Sequence, residues 1–296
     1  MVGGSEMVQN NKISVFTVIR TVFLMLVIAA TLYPFIYMFS VSVSSDIYVM
    51  KNEISFFPKG FNLKMYKFVF QDSRIFTAYK NTIIYVAIGT VISLVITSAG
   101  AFALSKKYMI FNKTFNIMIV ITMFFGGGMI PTYLTVKNLG LYDTIWAIVL
   151  PGAVSTWNLM VMRTFFSQFP TEIEESGKID GLNDLGVFFY LVLPVSKAIL
   201  ATIGLFYAVS LWNSYLGPLM YLKTQEKYPL QIILREILLS GSNFNNDVVS
   251  VGGDSVVVEE SLKYATAIVS IVPIVAVYPF LQKYFVKGVM VGSVKG

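Results

Sequence analysis

The chain has 296 residues, of which 56% are hydrophobic and only 13% charged, against about a quarter charged in ordinary soluble domains. It contains no cysteine and no histidine, which excludes disulfides, thiolate metal sites and lipidation at cysteine. The same gap removes the main donors of transition-metal sites and the bases of the common triads, so neither a metal nor a catalytic residue is expected. The formal net charge of +6 fits lysines at the cytosolic ends of membrane spans, and no nucleic-acid partner is expected.

Crossing the hydrocarbon of a bilayer takes roughly 20 helical residues, and six apolar runs are long enough. They cover residues 21–43, 82–104, 116–135, 144–162, 198–222 and 265–285, which predicts an all-α polytopic membrane protein with six transmembrane helices. The first run is longer than a signal-peptide core and is followed by no small-residue cleavage pattern, so it reads as an uncleaved span. Lys and Arg divide evenly between the two sides when every loop is counted. Short loops decide orientation: Lys106, Lys107 and Lys113 follow the second run, whereas only Lys137 follows the third. The C-terminal tail agrees, with Lys283, Lys287 and Lys295 and no acid. Both ends are therefore expected in the cytosol of a multi-pass protein of the cytoplasmic membrane.

In chain order, residues 1–20 form a cytosolic segment, 21–43 the first transmembrane helix and 44–81 an extracellular loop. That loop mixes aromatics with charge (Phe56, Phe57, Pro58, Tyr66, Phe68, Phe70), as suits the outer interface. A core domain of five spans follows over 82–285. In its third span Gly126, Gly127, Gly128 and Pro131 interrupt the helix, either as a packing site with a kink or as a gate beside a cavity. In the fourth, Trp157 and Asn158 lie away from the interfacial belts. They either join helices or line a path for a polar, uncharged cargo.

Between the fourth and fifth spans, residues 171–194 have the marks of two short helices. Thr171 with Glu174 three residues later forms a capping box, the acids Glu172, Glu174 and Glu175 favour the positive helix end, and Gly181 is placed to end the first helix. The second helix offers Leu182, Leu185, Phe188 and Phe189 as one apolar face, and Pro194 starts the fifth span. Gly181 and Gly186 have the spacing of a phosphate loop, but Val187 and Phe188 stand where its lysine and hydroxyl belong. Nucleotide binding is thus not expected of this chain.

Here the chain resembles the permease subunits of type I ATP-binding-cassette importers, whose cytosolic loop follows E-A-A, three residues, G, nine residues, I-x-L-P. Glu175-Ser176-Gly177 occupies the triplet, Gly181 follows after three residues, and Leu191-Val192-Leu193-Pro194 comes after nine more. The departures are Ser176 and Gly177 for alanines and Leu191 for isoleucine, and Gly177 should weaken the helix by roughly 1 kcal/mol relative to alanine. The wider match, over roughly residues 61–285, is to the carbohydrate branch. Its nearest part is the second permease subunit of oligosaccharide importers in Gram-positive bacteria, akin to the second maltose permease. It is carried by Phe61–Tyr66, Asn81-Thr82, Phe125–Tyr133, Leu139–Thr144, Glu174–Gly181 and Leu193–Ala198.

The resemblance implies that a coupling helix docks into a cleft of a separate ATPase through Glu174, Glu175, Ser176, Gly177, Asp180, Gly181 and Pro194. Glu175 would meet a basic group there and Gly181 would permit the turn. It implies a heterodimer with a homologous second permease, two ATPase subunits holding ATP and Mg, an extracellular sugar-binding lipoprotein, and a carbohydrate cargo. No cofactor is expected in this chain itself.

In the fifth span Tyr207, Ser210, Trp212, Asn213 and Tyr215 pose the same choice between packing and path as Trp157 and Asn158. The loop 223–264 is expected outside, where Ser240–Asp247 and Gly252-Gly253 suit a polar hairpin or mobile loop. Residues 286–296 form a cytosolic tail. Within the six cores the only charged side chain is Lys283, so a proton- or sodium-driven carrier is not expected and the driving energy must enter from outside the bilayer. A peptide importer of the same machine and a non-transport membrane scaffold are the competing readings.

Overall fold

The computed structural model describes the backbone of residues 15–248 and 259–293, and side chains over 15–239 and 260–279. Among the described residues the chain is helical, without a β-strand. It divides into two units, the first of residues 15–68 with 241–248 and 259–268, the second of 69–240 with 269–293.

The first unit starts with α1 (Val15–Ser42), 28 residues long, beginning six residues before the expected span. Its apolar window is wholly exposed, and only its last turn, from Ser40, is buried. That turn is pinned by polar contacts: the Ser40 hydroxyl donates to the Phe56 carbonyl at 2.7 Å, and the Ser42 and Tyr66 hydroxyls lie 2.8 Å apart. A short helix α2 (Asp46–Met50) covers a small core of Val41, Val49 and Ile54, with Tyr37 and Tyr264 packed against it. The expected loop 44–81 is thus largely folded, and it includes α3 (Lys64–Gln71).

The second unit is organised around α4 (Arg74–Ser105), a continuous helix of 32 residues that begins eight residues before its expected span. Its buried positions include Ile75, Ala78, Thr82, Tyr85, Gly89, Ser93, Thr97, Ala101 and Leu104, spaced three or four apart, which is the stripe of one helix face. Small residues along that stripe allow close approach of neighbouring helices. A methyl group at Gly89 would stand 2.6 Å from Leu211 Cδ1, and one at Gly204 would stand 3.1 Å from Leu94 Cδ1. The partners are α8 (Thr156–Phe166) and α11 (Lys197–Trp212), which pack along α4.

Three expected spans are not single straight helices. The third is α5 (Asn112–Phe124) and α6 (Met129–Asn138), set at 114° across Phe125–Gly128. Gly128 there has φ of +84°, a conformation that glycine adopts without strain. Pro131 makes no kink: it lies in the first turn of α6, where a missing N–H costs nothing. The fourth, 144–162, is the four-residue α7 (Trp146–Val149) and then α8, because Pro151-Gly152 breaks the ladder between them. The fifth ends its long helix at Trp212 and resumes as α12 (Leu216–Tyr221).

The stretch expected as a polar hairpin, Ser240–Asp247, is the continuation of α13 (Leu230–Val248). Its apolar half buries Leu230, Ile233, Leu234 and Ile237, and no proline follows to stop the helix that this face initiates. Gly252-Gly253 lies outside the described residues. The last helix, α14 (Glu259–Ser293), carries Pro273 and Pro279, and the side chain of Lys283 is not among those described.

Candidate functional site

Residues 171–194 fold as two helices at a tight corner. The first, α9 (Thr171–Ile179), ends in a Schellman turn: the Leu182 amide donates to the Gly177 carbonyl at 2.9 Å while Gly181 takes φ of +87°. The second, α10 (Asp184–Val195), is capped by Asn183, whose side-chain oxygen accepts from the Gly186 amide at 2.8 Å. Between Val187 and Val192 it widens into a π-helix. Pro194 explains this widening, since it cannot donate to the carbonyl one α-turn back and its ring crowds that turn. An 85° bend then leads into α11, and at the bend the buried Ser196 hydroxyl donates to the Val192 carbonyl at 2.6 Å.

Two details differ from the sequence expectation. Thr171 and Glu174 make no capping box: Pro170 occupies the cap position without a side-chain bond, and Glu174 turns inward instead. The expected apolar face of the second helix is also redistributed. The π-turn buries Val187, Phe188 and Val192 but leaves Phe189 exposed, and Leu185 in the turn before it is exposed as well. Each hydrogen bond there spans five residues rather than four, so the stripe counted at α-helical spacing slides off the core.

Glu174 pairs with Lys106, the residue that caps α4, and each is only 8% exposed. Lys106 also lies 4.2 Å above the centre of the Phe102 ring, which packs with Phe166 and Phe188. Lys106, Phe102 and Phe188 further line a cleft of about 270 Å³. A second pair is exposed: Lys178 meets Asp184 at 2.9 Å, and the Tyr108 hydroxyl donates to the same carboxylate at 2.9 Å. Those contacts hold the Asp184 carboxyl below its ordinary range, Lys178 first and Tyr108 second, and Asp184 in turn raises Lys178. The two pairs differ in weight. Losing one partner of a buried pair costs about 3–5 kcal/mol because the other charge stays uncompensated, whereas an exposed pair contributes at most about 1 kcal/mol.

Gly177 sits where α9 meets α10, and a methyl group there would come within 2.6 Å of Leu191 Cδ1. Glu175, Ser176 and Asp180 face outward, and Glu175 has no hydrogen-bond or ion-pair partner among the described residues. The element thus has a fastened inner side, of Glu174, Gly177 and Val187, and an outer side where Glu175 and the 86%-exposed Ile179 stand free.

The candidate path residues do not form one cluster. Tyr207 is buried, its hydroxyl 2.7 Å from that of Thr97 and accepting from the Ser155 amide at 3.0 Å. Trp212 is buried too, and its indole donates to the Ser270 carbonyl at 3.1 Å. Tyr215 lies under Arg235, whose guanidinium is 4.6 Å from the ring centre. Trp157 is 60% exposed and Asn158 beside it is buried, while Ser210 and Asn213 share an open face of α11 with Phe206.

A further assembly, which sequence reasoning did not single out, lies at the opposite end of α4. Asp143, at φ of +59°, accepts from the Lys223 and Thr224 amides at 2.9 and 3.0 Å, from the Thr224 hydroxyl at 2.6 Å and from the Lys227 ammonium at 2.8 Å. Lys227 foremost, then Thr224, push its carboxyl well below the usual range. Asn81 Nδ2 donates to the Glu226 and Tyr228 carbonyls at 2.6 and 3.2 Å, and Thr82 Oγ1 accepts from the Leu230 amide at 2.8 Å. The available signal was the pair of segments Asn81-Thr82 and Leu139–Thr144, which resembled a family pattern without an evident reason. Asp143 of the one grips residues 223–227, and Asn81-Thr82 of the other grips residues 226–230.

Helices long and apolar enough to cross a membrane, with one corner element fastened inside and free outside, fit a membrane transport subunit. The chain belongs to the family of binding-protein-dependent transport system inner membrane components, whose model matches residues 108–291. It is 39% identical over 274 residues, 93% of this chain and 96% of the relative, to the polygalacturonan/rhamnogalacturonan transport system permease protein YtcP of Bacillus subtilis. It is 40% identical over 286 residues, 95% of each chain, to protein LplC of the same organism. Among solved structures, it matches a bacterial ABC transporter involved in the import of the acidic polysaccharide alginate. That match has 33% identity and a TM-score of 0.80, over 93% of this chain and 98% of that one.

Proposed function

We propose that this chain is the permease subunit of an importer for a carbohydrate, most simply an oligosaccharide, worked by alternating access. It spans the cytoplasmic membrane of a Gram-positive bacterium with both ends in the cytosol. Its partners are a homologous second permease, two ATPase subunits that hold ATP and Mg, and an extracellular sugar-binding lipoprotein. The chain performs no chemistry of its own. The observation that carries the reading is the corner at 171–194, where a helix is held to the spans on one side and offers the unpaired Glu175 on the other. Closure of the ATPases moves this corner, and the spans around α4 follow.

Within the spans, residues 82–285 act as the core, and the break at Gly126–Gly128 is a candidate gate. Trp157, Ser210 and Asn213 are the path residues free to meet cargo, whereas Tyr207 and Trp212 already hold helices together. One observation favours a finer reading, a saccharide bearing uronate groups. A cleft of about 440 Å³ is lined by Lys113 and Arg163 beside Asn112 and Asn116, and neither cation has an acidic partner among the described residues. The polygalacturonan and alginate in the relatives' names are polyuronates of matching charge.

The test is uptake of labelled saccharides by a strain lacking this chain, complemented with the unaltered sequence or with Glu175→Lys. The unaltered chain restores uptake, most strongly for oligogalacturonides, and Glu175→Lys abolishes it at an unchanged level of protein in the membrane. Restored uptake of labelled peptides and of no saccharide would favour a peptide importer. Undiminished saccharide uptake without this chain, with another membrane activity lost, would favour a scaffold.

A further inference from the structure

Two fastenings hold one helix, one at its C-terminal end and the other two to three turns in from its N-terminal end. At its cytosolic end, α4 receives the docking helix through Lys106 and Glu174. The Leu104 carbonyl, two residues back, accepts from Arg163 Nε at 3.2 Å and from Asn112 Nδ2 at 2.9 Å, so α5 and α8 are tied to the same point. In its N-terminal half, Asn81, Thr82 and Tyr85 grip the backbone of residues 226–230, with Tyr85 donating to the Lys227 carbonyl at 2.7 Å. Between them α4 runs without a proline for the 21 residues from Tyr85 to Ser105, about 32 Å at 1.5 Å per residue.

We propose that Lys106 and Glu174 are a positioning pair that carries movement of the docking helix into α4, and that α4 delivers it as a lever to the external segment 226–230. This rests on the docking reading above. The alternative route, along the chain into α11, passes through a π-turn and an 85° bend, each an interruption of the straight α-helical ladder. The Lys106 route is short and buried. Neither charge can be left behind in the apolar interior, so displacement of α9 draws the end of α4 with it.

The absence of cysteine permits a direct test. Gln225→Cys places one thiol on the exposed residue immediately before that external segment, and the whole transporter, with its partner subunits, is purified in nanodiscs. The rate of maleimide labelling of this chain is measured without nucleotide and with ATP plus orthovanadate. In the otherwise unaltered chain the two rates differ by about five-fold or more, the lower end of ordinary allosteric couplings. Lys106→Glu abolishes the difference while the ATPases remain bound, and Lys106→Glu with Glu174→Lys restores it.

A Lys106→Glu complex that keeps the nucleotide response overturns the lever, as does an unaltered complex with bound ATPases and no response. Release of the ATPases by Lys106→Glu alone also overturns it, because the pair would then serve docking rather than transmission. If Lys106→Glu fails to accumulate, the exchanged pair decides: it must respond, and silence overturns the proposal. Failure of the docking reading itself has a separate signature, purification of the unaltered chain without any ATPase.

Discussion

Glu174 and Glu175 are neighbours in the chain and opposites in environment, one paired in the interior with Lys106 and the other unpaired at the surface. Spacing along a motif registers both as acids near a helix start and has no means of telling them apart. What separates them is the 100° turn between successive helical residues, and that becomes meaningful only once the helix has a neighbour. Gly177 shows the reverse case. Its departure from alanine looked like a plain helix weakness, yet it faces Leu191, itself a departure from isoleucine. Gly177→Ala gains about 1 kcal/mol of helix propensity but meets overpacking of about 1–3 kcal/mol, softened because the obstacle is a side-chain tip. Thermal denaturation should therefore find Gly177→Ala neutral to destabilising by up to about 2 kcal/mol. Gly177→Ala with Leu191→Val should be more stable than the sum of the two single changes.

At the scale of elements, the apolar runs located the long helices and missed their interruptions. Runs are counted by composition, and composition does not register a lost hydrogen-bond ladder at Pro151-Gly152, or a proline that drives the turn before it into π geometry. The corner at 171–194 was legible because glycines and prolines fix local backbone directly, although the capping box expected of Thr171 and Glu174 does not form. The clamp at Asp143 was not, since its partners lie about 80 residues away in the chain. Its pH dependence follows from its sign. Asp143 has a folded pKa below the unfolded value, so its stabilisation is complete above the ordinary carboxylate range, near pH 4. It is lost as pH falls through the depressed folded value. Hydrogen exchange, corrected for intrinsic rates, should find the Lys223 and Thr224 amides protected at about pH 4 and opening only in stronger acid. Asp143→Asn should shift that opening to neutral pH.

For the molecule as a whole, the orientation rests on a few lysines in short loops, and both Lys107 and Lys137 are exposed. Single cysteines at these positions give a direct reading. Lys107→Cys should react with an impermeant maleimide only in inverted vesicles, and Lys137→Cys only in intact cells stripped of their wall; the opposite pattern would reverse the topology. The fold class was legible from length and apolar content, because a bilayer imposes one secondary structure on such runs. How many runs cross in a straight line was not, since interruption is a matter of a few residues against a background of twenty.

The break between α5 and α6 says where the lipid cannot be. The amides of Gly126, Gly127 and Gly128 have no partner among the described residues, and the break is exposed on this chain. In hydrocarbon each unpaired amide would cost several kcal/mol, a penalty that no local packing offsets. The surface around Phe125 must therefore look onto water or another protein. In an isolated chain it is a wound in the bilayer-facing wall, so the subunit should be a poor lodger in lipid until its second half arrives.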